Sequence, residues 1–216
     1  MKRRRITGVG GSDTHNLNGI IAPFTGHGNP TTWVYAQTRD AAGILSGIVH
    51  GHVSVSYTVD APRLDFAADM DGDTFYETLM GDTILTSETT SVKFKMDIMN
   101  RPTGDDGDLV AVPVSIIKHL NTQKPTVWDL LWFTQTLNQM DRNNLQFVTV
   151  IKDAQIFKAW LISGSTHTLT FSDTLNAEIP VYYRTELYGK PDVTGLKQLI
   201  YGLRIAVSNP IYVNYE

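Results

Sequence analysis

The sequence predicts a mainly β fold with a small α/β portion at its start. After residue 60, short runs that alternate apolar and polar residues recur along the chain with turn residues between them. That spacing is typical of an antiparallel β-sandwich. Before residue 60, a strand, a loop, a second strand and a helix follow one another, which is an α/β pattern. With 216 residues, 42% of them hydrophobic, the chain is long enough to bury a sizeable core.

The first 60 residues contain three predicted elements. The run "ITGVGG", residues 6–11, is rich in Gly and β-branched residues and predicts a buried strand that ends in a loop. The run "WVYA", residues 33–36, predicts a second short strand. In "RDAAGILSGIVHG" the apolar residues recur at helical spacing, with Thr38 as the expected N-cap and Gly51 as the expected end.

The rest of the chain reads as strands with one inserted helix. Successive strands are expected in "HVSVSYTV", "RLDFAAD", "TSVKFKMDI", "DLVAVPVSII", "LQFVTVIK", "IFKAWLI", "THTLTF", "IPVYYRTELYG" and "LIYGLRIAV". Near-helical spacing behind Pro125 predicts an amphipathic helix near residues 125–140. We therefore expect two domains, residues 1–60 and a β-rich domain of residues 61–216.

Charge and hydropathy exclude several classes of partner. The net charge is −4, so a basic face broad enough to follow a phosphate backbone is not expected, and nucleic acid is excluded as the main partner. The basic run Lys2–Arg5 lacks the apolar stretch of a signal peptide and is interpreted as a solvated start. Apolar runs long enough for a transmembrane helix are absent, so no membrane partner is expected, and the cellular location stays open.

One short motif has the spacing of metal ligands. Asp13 and His15 are two residues apart behind a glycine-rich run, and on an extended segment their side chains project to the same side. A carboxylate and an imidazole so placed suit a divalent metal such as zinc or manganese. The chain has no Cys, so His, Asp and Glu are the remaining strong ligands. The alternative is a surface turn with an exposed His15.

The same motif carries a resemblance to a known family. The segments "ITGVGGSDTHN", "PTTWVYA", "GILSGIVHGHVSVS", "MGDTI" and "AVSNPIYV" together resemble the C-terminal part of a PHP-type metal-dependent phosphoesterase. The branch they resemble most is that of the CehA/McbA-type metallohydrolases. The resemblance is strongest over residues 6–60.

The resemblance implies a fold, a chemistry and a ligand pair. In that superfamily a distorted α/β barrel holds two or three divalent metals, and a metal-bound hydroxide attacks a phosphate, ester or amide centre. The last ligand motif of the family is Asp-x-His, which falls on Asp13 and His15 and would make both of them catalytic metal ligands. The implied partner is a small-molecule phosphate or ester substrate.

The family's earlier ligands should lie upstream of this motif, where this chain has only five residues before Ile6. Two ligands are too few for a catalytic zinc. The chain is therefore expected to hold the last strand and helix of the barrel followed by a β-sandwich-like domain, and to be inactive by itself. The alternative function is a non-catalytic β-sandwich that binds a partner or a carbohydrate. A barrel remnant would expose apolar faces, so self-association is also expected.

Two further groups of residues are weighed as metal sites. His50 and His52 could complete a site with Asp13 and His15, although surface positions are the simpler interpretation. Asp69, Asp71, Asp73 and Glu77 lie in "DMDGDTFYE" and suggest a calcium loop. Thr74 stands where that loop needs Gly and the closing Glu comes too early, so an acidic turn between strands is expected.

Overall fold

The structure is a computed structural model that describes residues 4–11, 30–57, 59, 61–99, 110–111, 146–162, 167–188 and 204–215. One helix, α1 (Ala41–His50), lies in these ranges. The strands are β1 (Thr31–Val34), β2 (Val53–Ser56), β3 (Arg63–Asp69), β4 (Thr78–Leu79), β5 (Thr83–Ile84), β6 (Thr90–Met99), β7 (Val110–Ala111), β8 (Gln146–Lys152), β9 (Gln155–Ile162), β10 (His167–Leu175), β11 (Val181–Tyr188), β12 (Arg204–Ser208) and β13 (Ile211–Val213).

The strands form two sheets. The larger sheet has the order β1-β2-β12-β11-β8-β9-β7, with β13 beside β11 and β5 beside β13. The smaller sheet has the order β10-β6-β3-β4. Described pairings are antiparallel except that of β13 with β5. The mainly β, antiparallel part of the predicted fold class is confirmed.

The inner faces of both sheets meet in one hydrophobic core, to which β6 contributes by strict alternation. In β6 the side chains of Val92, Phe94, Met96 and Ile98 are buried, and the residues between them are more exposed. The rings of Phe94 and Phe171, both in the smaller sheet, lie 4.9 Å apart, and Phe94 lies 4.7 Å from Tyr183 in the larger sheet. Aromatic rings therefore join the two sheets at the centre of the core.

The predicted barrel remnant is wrong. A βα barrel unit needs parallel strands on either side of its helix, yet β1 and β2, which flank α1, pair antiparallel, with Thr31 opposite Ser56. Strand β2 then pairs antiparallel with β12. Strands β1 and β2 thus belong to the larger sheet. The proposed boundary near residue 60 itself stays a prediction.

The run "ITGVGG" differs from its prediction too. Its residues form no strand and Ile6 and Val9 are exposed. Its backbone is held by side chains instead: Ile6 N donates to the Tyr212 hydroxyl (3.0 Å), and Gly8 N donates to Asn209 Oδ1 (2.9 Å). Since side chains replace the backbone ladder, the segment is fixed in place without joining a sheet.

Helix α1 follows its prediction apart from its first turn. It ends at Gly51, which adopts φ 80°, as the sequence predicts. Its N-cap is Asp40, whose Oδ1 accepts from Gly43 N (2.8 Å). Thr38, the predicted cap, donates its hydroxyl to Asp40 Oδ1 (3.0 Å). Asp40 is the N-cap because its carboxylate accepts the hydrogen bonds of both the Gly43 N–H and the Thr38 hydroxyl. The helix predicted near residues 125–140 lies outside the described residues.

Candidate functional site

Helix α1 packs on the sandwich with its glycines. An added Cβ at Gly47 would lie 2.6 Å from Val34 Cγ1 and 2.7 Å from the Tyr35 carbonyl oxygen. At Gly43 it would lie 2.3 Å from Thr38 Oγ1. Such distances leave no room for a side chain, so this face of the helix is seated directly on the backbone after β1.

The opposite face of α1 is apolar and is not covered by the described part of the chain. Ile44, Leu45 and Val49 are 43%, 61% and 76% exposed, and Gly47 is the only buried residue of the helix. At 100° per residue Leu45 and Val49 point away from Gly43 and Gly47, and Ile44 lies at the edge between the two faces. Surface helices normally turn this kind of stripe towards the core. We call Ile44, Leu45 and Val49 the α1 face.

A cavity of about 320 Å³ lies at the carboxyl end of α1. Its walls come from the amino-terminal segment, the end of the helix, the β4–β5 turn and β13, and include Arg4, Arg5, Ile6, Val49, His50 and Tyr212. Its floor is backbone: Gly81, at φ 97°, approaches so closely that an added Cβ would lie 2.3 Å from the His50 carbonyl oxygen. Only glycine fits this contact.

The cavity is cationic. Among the described residues, the Arg5 guanidinium donates through Nη1 to the Gly81 carbonyl oxygen (3.3 Å) and Thr83 Oγ1 (3.5 Å), both long contacts, and Arg4 makes no described ion pair. The described residues that line the cavity include no Asp or Glu. Burial raises the pKa of the Tyr212 hydroxyl, so it stays protonated and donates to the Ile6 carbonyl oxygen (3.0 Å).

The two histidines near this cavity are held by other groups. His50 Nδ1 lies 2.8 Å from the Ser46 carbonyl oxygen, and because a carbonyl can only accept, Nδ1 carries the proton. His52 Nε2 lies 2.8 Å from Asp82 Oδ1, and Asp82 Oδ2 accepts from Leu79 N (2.8 Å). The His52–Asp82 pair thus ties the end of α1 to the β4–β5 turn.

The predicted pair Asp13 and His15 lies outside the described residues. Their ligation of a metal, and their juxtaposition with His50 and His52, stay predictions. His52 has Asp82 as its partner at Nε2, and its ring lies beside that of His50, with centroids 5.6 Å apart.

The acidic turn after β3 places three carboxylates together. One oxygen each of Asp69, Asp71 and Asp73 lies within 4.8 Å of the others, and Asp69 is buried. Three oxygen donors can hold a divalent cation. The same carboxylates also hold the loop: Asp69 accepts from Gly72 N (2.7 Å), and Asp73 accepts from Phe75 N (2.7 Å).

Thr74 in this loop has φ 73°. It therefore adopts the left-handed conformation for which calcium loops use Gly, against the expectation from its residue type. Asp69 Oδ2 accepts from Thr74 N (3.1 Å), which helps to hold that conformation.

Sequence analysis missed the α1 face and the cationic cavity. The signal for the first was the spacing of Gly43 and Gly47, one helical turn apart, which marks a close-packed side. Lys2–Arg5 was interpreted as a solvated start, whereas Arg4 and Arg5 line a cavity. Nothing in the sequence alone places that segment beside Tyr212.

The chain matches no family model and no curated protein. Solved structures that resemble it include the crystal structure of the CARDB domain of the PF1109 protein from Pyrococcus furiosus in complex with di-metal ions. That match has 12% identity and a TM-score of 0.31, over 72% of this chain and 96% of the other. The solution NMR structure of the same domain has 10% identity and a TM-score of 0.26, over 72% and 98%. At these TM-scores the two structures carry no argument about this chain.

Membership of the PHP-type phosphoesterases, and with it the metal-dependent hydrolase function, is wrong as an expectation for this chain. Neither the family models nor the curated proteins support it. The antiparallel pairing of β1 with β2 also disagrees with the barrel unit that the resemblance implied. Within the described ranges, no helix has the length and apolar character that crossing a membrane requires.

Proposed function

We propose that this chain is a non-catalytic β-sandwich module that binds another protein through the α1 face. The observation that carries the proposal is the orientation of α1, which is seated on its glycines and turns Ile44, Leu45 and Val49 to solvent. Burial of one such side chain contributes about 1.5–3 kcal/mol. A protein partner that covers the stripe would supply that burial.

A protein partner fits this helix better than a lipid surface does. Helices that lie in a membrane interface carry Lys and Arg on the polar face opposite the apolar one. In α1 the opposite face holds Gly43 and Gly47, which contact the sandwich, and the helix contains no Lys or Arg. The helix therefore lacks the charges that would hold it on anionic lipid.

The experiment uses a random peptide library displayed on phage, selected against the whole chain. The enriched peptides are then measured by fluorescence anisotropy against a Leu45→Glu, Val49→Glu double variant. We expect binding to weaken at least thirtyfold, because two charges would face the partner's apolar residues. The matched control is Thr170→Glu, on the exposed side of β10, which should bind as the unaltered chain does.

Both variants are checked for an unchanged thermal midpoint, since all three positions are exposed. Peptides that bind the double variant as tightly as the unaltered chain would contradict the proposal. Self-association, the earlier expectation for residues 1–60, is measured in parallel by light scattering. A dimer that the double variant dissociates would replace the peptide partner with a second copy of the chain.

The proposed docking does not depend on a metal, and the acidic cluster is a separate question. Zinc or manganese was the expectation, and the cluster of Asp69, Asp71 and Asp73 offers oxygen ligands only. Oxygen ligands suit manganese, calcium or magnesium better than zinc, which prefers nitrogen and sulfur. Elemental analysis of the purified chain distinguishes these metals.

A further inference from the structure

We infer that the partner carries a carboxylate beside its apolar residues, and that Arg4 and Arg5 bind this carboxylate in the cavity at the end of α1. The inference rests on the proposed docking function and names the chemistry of its partner. It starts from continuity: Val49 belongs both to the α1 face and to the wall of the cavity. A segment lying along α1 would therefore reach the cavity at the helix's carboxyl end.

The charges of the cavity select an anion. A guanidinium has five N–H donors, and the bonds described for Arg5 use Nη1 alone. Arg4 contributes a second positive charge, and none of the described lining residues is a carboxylate. The oxygens of Asp82, which follows the lining residue Gly81, are directed to His52 Nε2 and Leu79 N and not to the guanidinium groups. Planar guanidinium groups pair well with a planar carboxylate.

The helix itself does not supply these charges with a partner. The carboxyl end of α1 carries a partial negative charge, but the carbonyl oxygens of Gly47, Ile48 and Gly51 accept other hydrogen bonds. Gly51 N donates to the Ile48 carbonyl oxygen (3.0 Å) and His52 N donates to that of Gly47 (2.9 Å). The Asn209 amide donates to the carbonyl oxygen of Gly51 (3.1 Å). The guanidinium groups thus keep donors for an external anion.

The walls favour an organic acid over a bare ion. Ile6 and Val49 contribute apolar lining to the same cavity as Arg4 and Arg5, and both are exposed, at 73% and 76%. A methylene chain next to the carboxylate, as in an acidic side chain or the end of a peptide, would cover them. Inorganic phosphate would leave both uncovered.

The first test is a titration of ¹⁵N-labelled chain with hexanoate, which combines a carboxylate with an apolar tail. We expect saturable shifts of the amide signals of Thr7, Gly51 and Gly81, whereas hexylamine and inorganic phosphate give none. Arg5→Gln should weaken hexanoate binding roughly fivefold, the effect of one partly exposed charge pair. The matched control, Arg39→Gln, removes an equal charge at the other end of α1 and should leave binding unchanged.

The second test applies the same variants to the peptides selected above. We expect these peptides to carry Asp, Glu or a free carboxyl end beside apolar residues, and to bind Arg5→Gln at least fivefold more weakly. Peptides that require Leu45 and Val49 but ignore Arg4 and Arg5, together with no saturable hexanoate shift, would overturn this inference and leave the docking function standing.

Other outcomes overturn the partner as well. Peptides that ignore Leu45 and Val49 would refute the docking function and the acidic peptide with it, even if hexanoate bound. Sedimentation of the chain with phosphatidylserine vesicles, dependent on Arg5 and Leu45, would replace the peptide carboxylate with a lipid headgroup. Thermal midpoints of Arg5→Gln and Arg39→Gln confirm that both variants are folded.

Discussion

At the scale of single residues, one polar cluster joins the two sheets. Lys152 Nζ of β8 lies 2.6 Å from Asp173 Oδ2 of β10, and the Tyr183 hydroxyl of β11 donates to the same oxygen (2.7 Å). Burial works against the charge of Asp173, but the bonds from Lys152 and Tyr183 outweigh it, so the pKa of Asp173 is lowered. The charged carboxylate is therefore the form that stabilises this contact.

Replacement of this carboxylate should destabilise the fold in a pH-dependent way. A lowered folded pKa contributes stability above the unfolded pKa of about 4, and the contribution is lost as pH falls through the folded pKa. We expect Asp173→Asn to lose about 1 kcal/mol at pH 7 and the difference to shrink below about pH 4, as measured by urea unfolding at both pH values.

The control for this prediction is Asp153→Asn in the β8–β9 turn. Asp153 has φ 47°, which Asn also tolerates, so stability should change by less than about 0.5 kcal/mol. A difference between Asp173→Asn and the unaltered chain that stays constant from neutral to acid pH would show that the charge contributes nothing.

At the scale of elements, helix α1 is held by shape rather than by burial of its large side chains. Gly47→Ala should raise helix propensity by about 1 kcal/mol, but its methyl group would collide with Val34 and Tyr35. We expect the collision to prevail, with a net loss of about 1–3 kcal/mol in thermal or urea unfolding.

Ser46→Ala is the matched control on the same helix. Ser46 is exposed, and its hydroxyl makes a 3.3 Å contact with His50 Nδ1, so the change should stay within about 0.5 kcal/mol. If Gly47→Ala proved as stable as Ser46→Ala, the helix would not be seated on its glycine face.

Elements were predictable from the sequence where local pattern decides the structure. Strict alternation of apolar and polar residues predicted β6 and β10. Helical spacing followed by Gly51 predicted α1 and the position where it ends. The strand predicted at residues 6–11 is wrong because the backbone of this segment bonds to the distant side chains of Asn209 and Tyr212. The cationic cavity depends on the same long-range contacts, so its residues could be named but not brought together.

At the scale of the whole molecule, one aromatic cluster in the core stabilises the packing of the two sheets against each other. Phe94 has no exposed surface, and its ring stacks on Phe66 and Phe171 at 5.7 and 4.9 Å. It also contacts Tyr183 of the larger sheet. Its removal would leave a cavity at the contact between the sheets.

We expect Phe94→Ala to cost about 3–5 kcal/mol and to lower the protection of amides in both sheets together, as read by hydrogen exchange. The control is Phe75→Ala, at a side chain that is 70% exposed, which should change stability by less than about 0.5 kcal/mol. Loss of protection in the smaller sheet alone would contradict a shared core.

The pairing of β2 with β12 also sets the order in which a cell can complete this fold. Val55 lies opposite Val207, so β2 leaves the ribosome about 150 residues before β12, its neighbour on one side, exists. At 5–20 residues per second that interval is roughly 8 to 30 seconds. During that interval the unpaired edge of β2 and the α1 face are both accessible to chaperones, and to other nascent chains on the same messenger RNA.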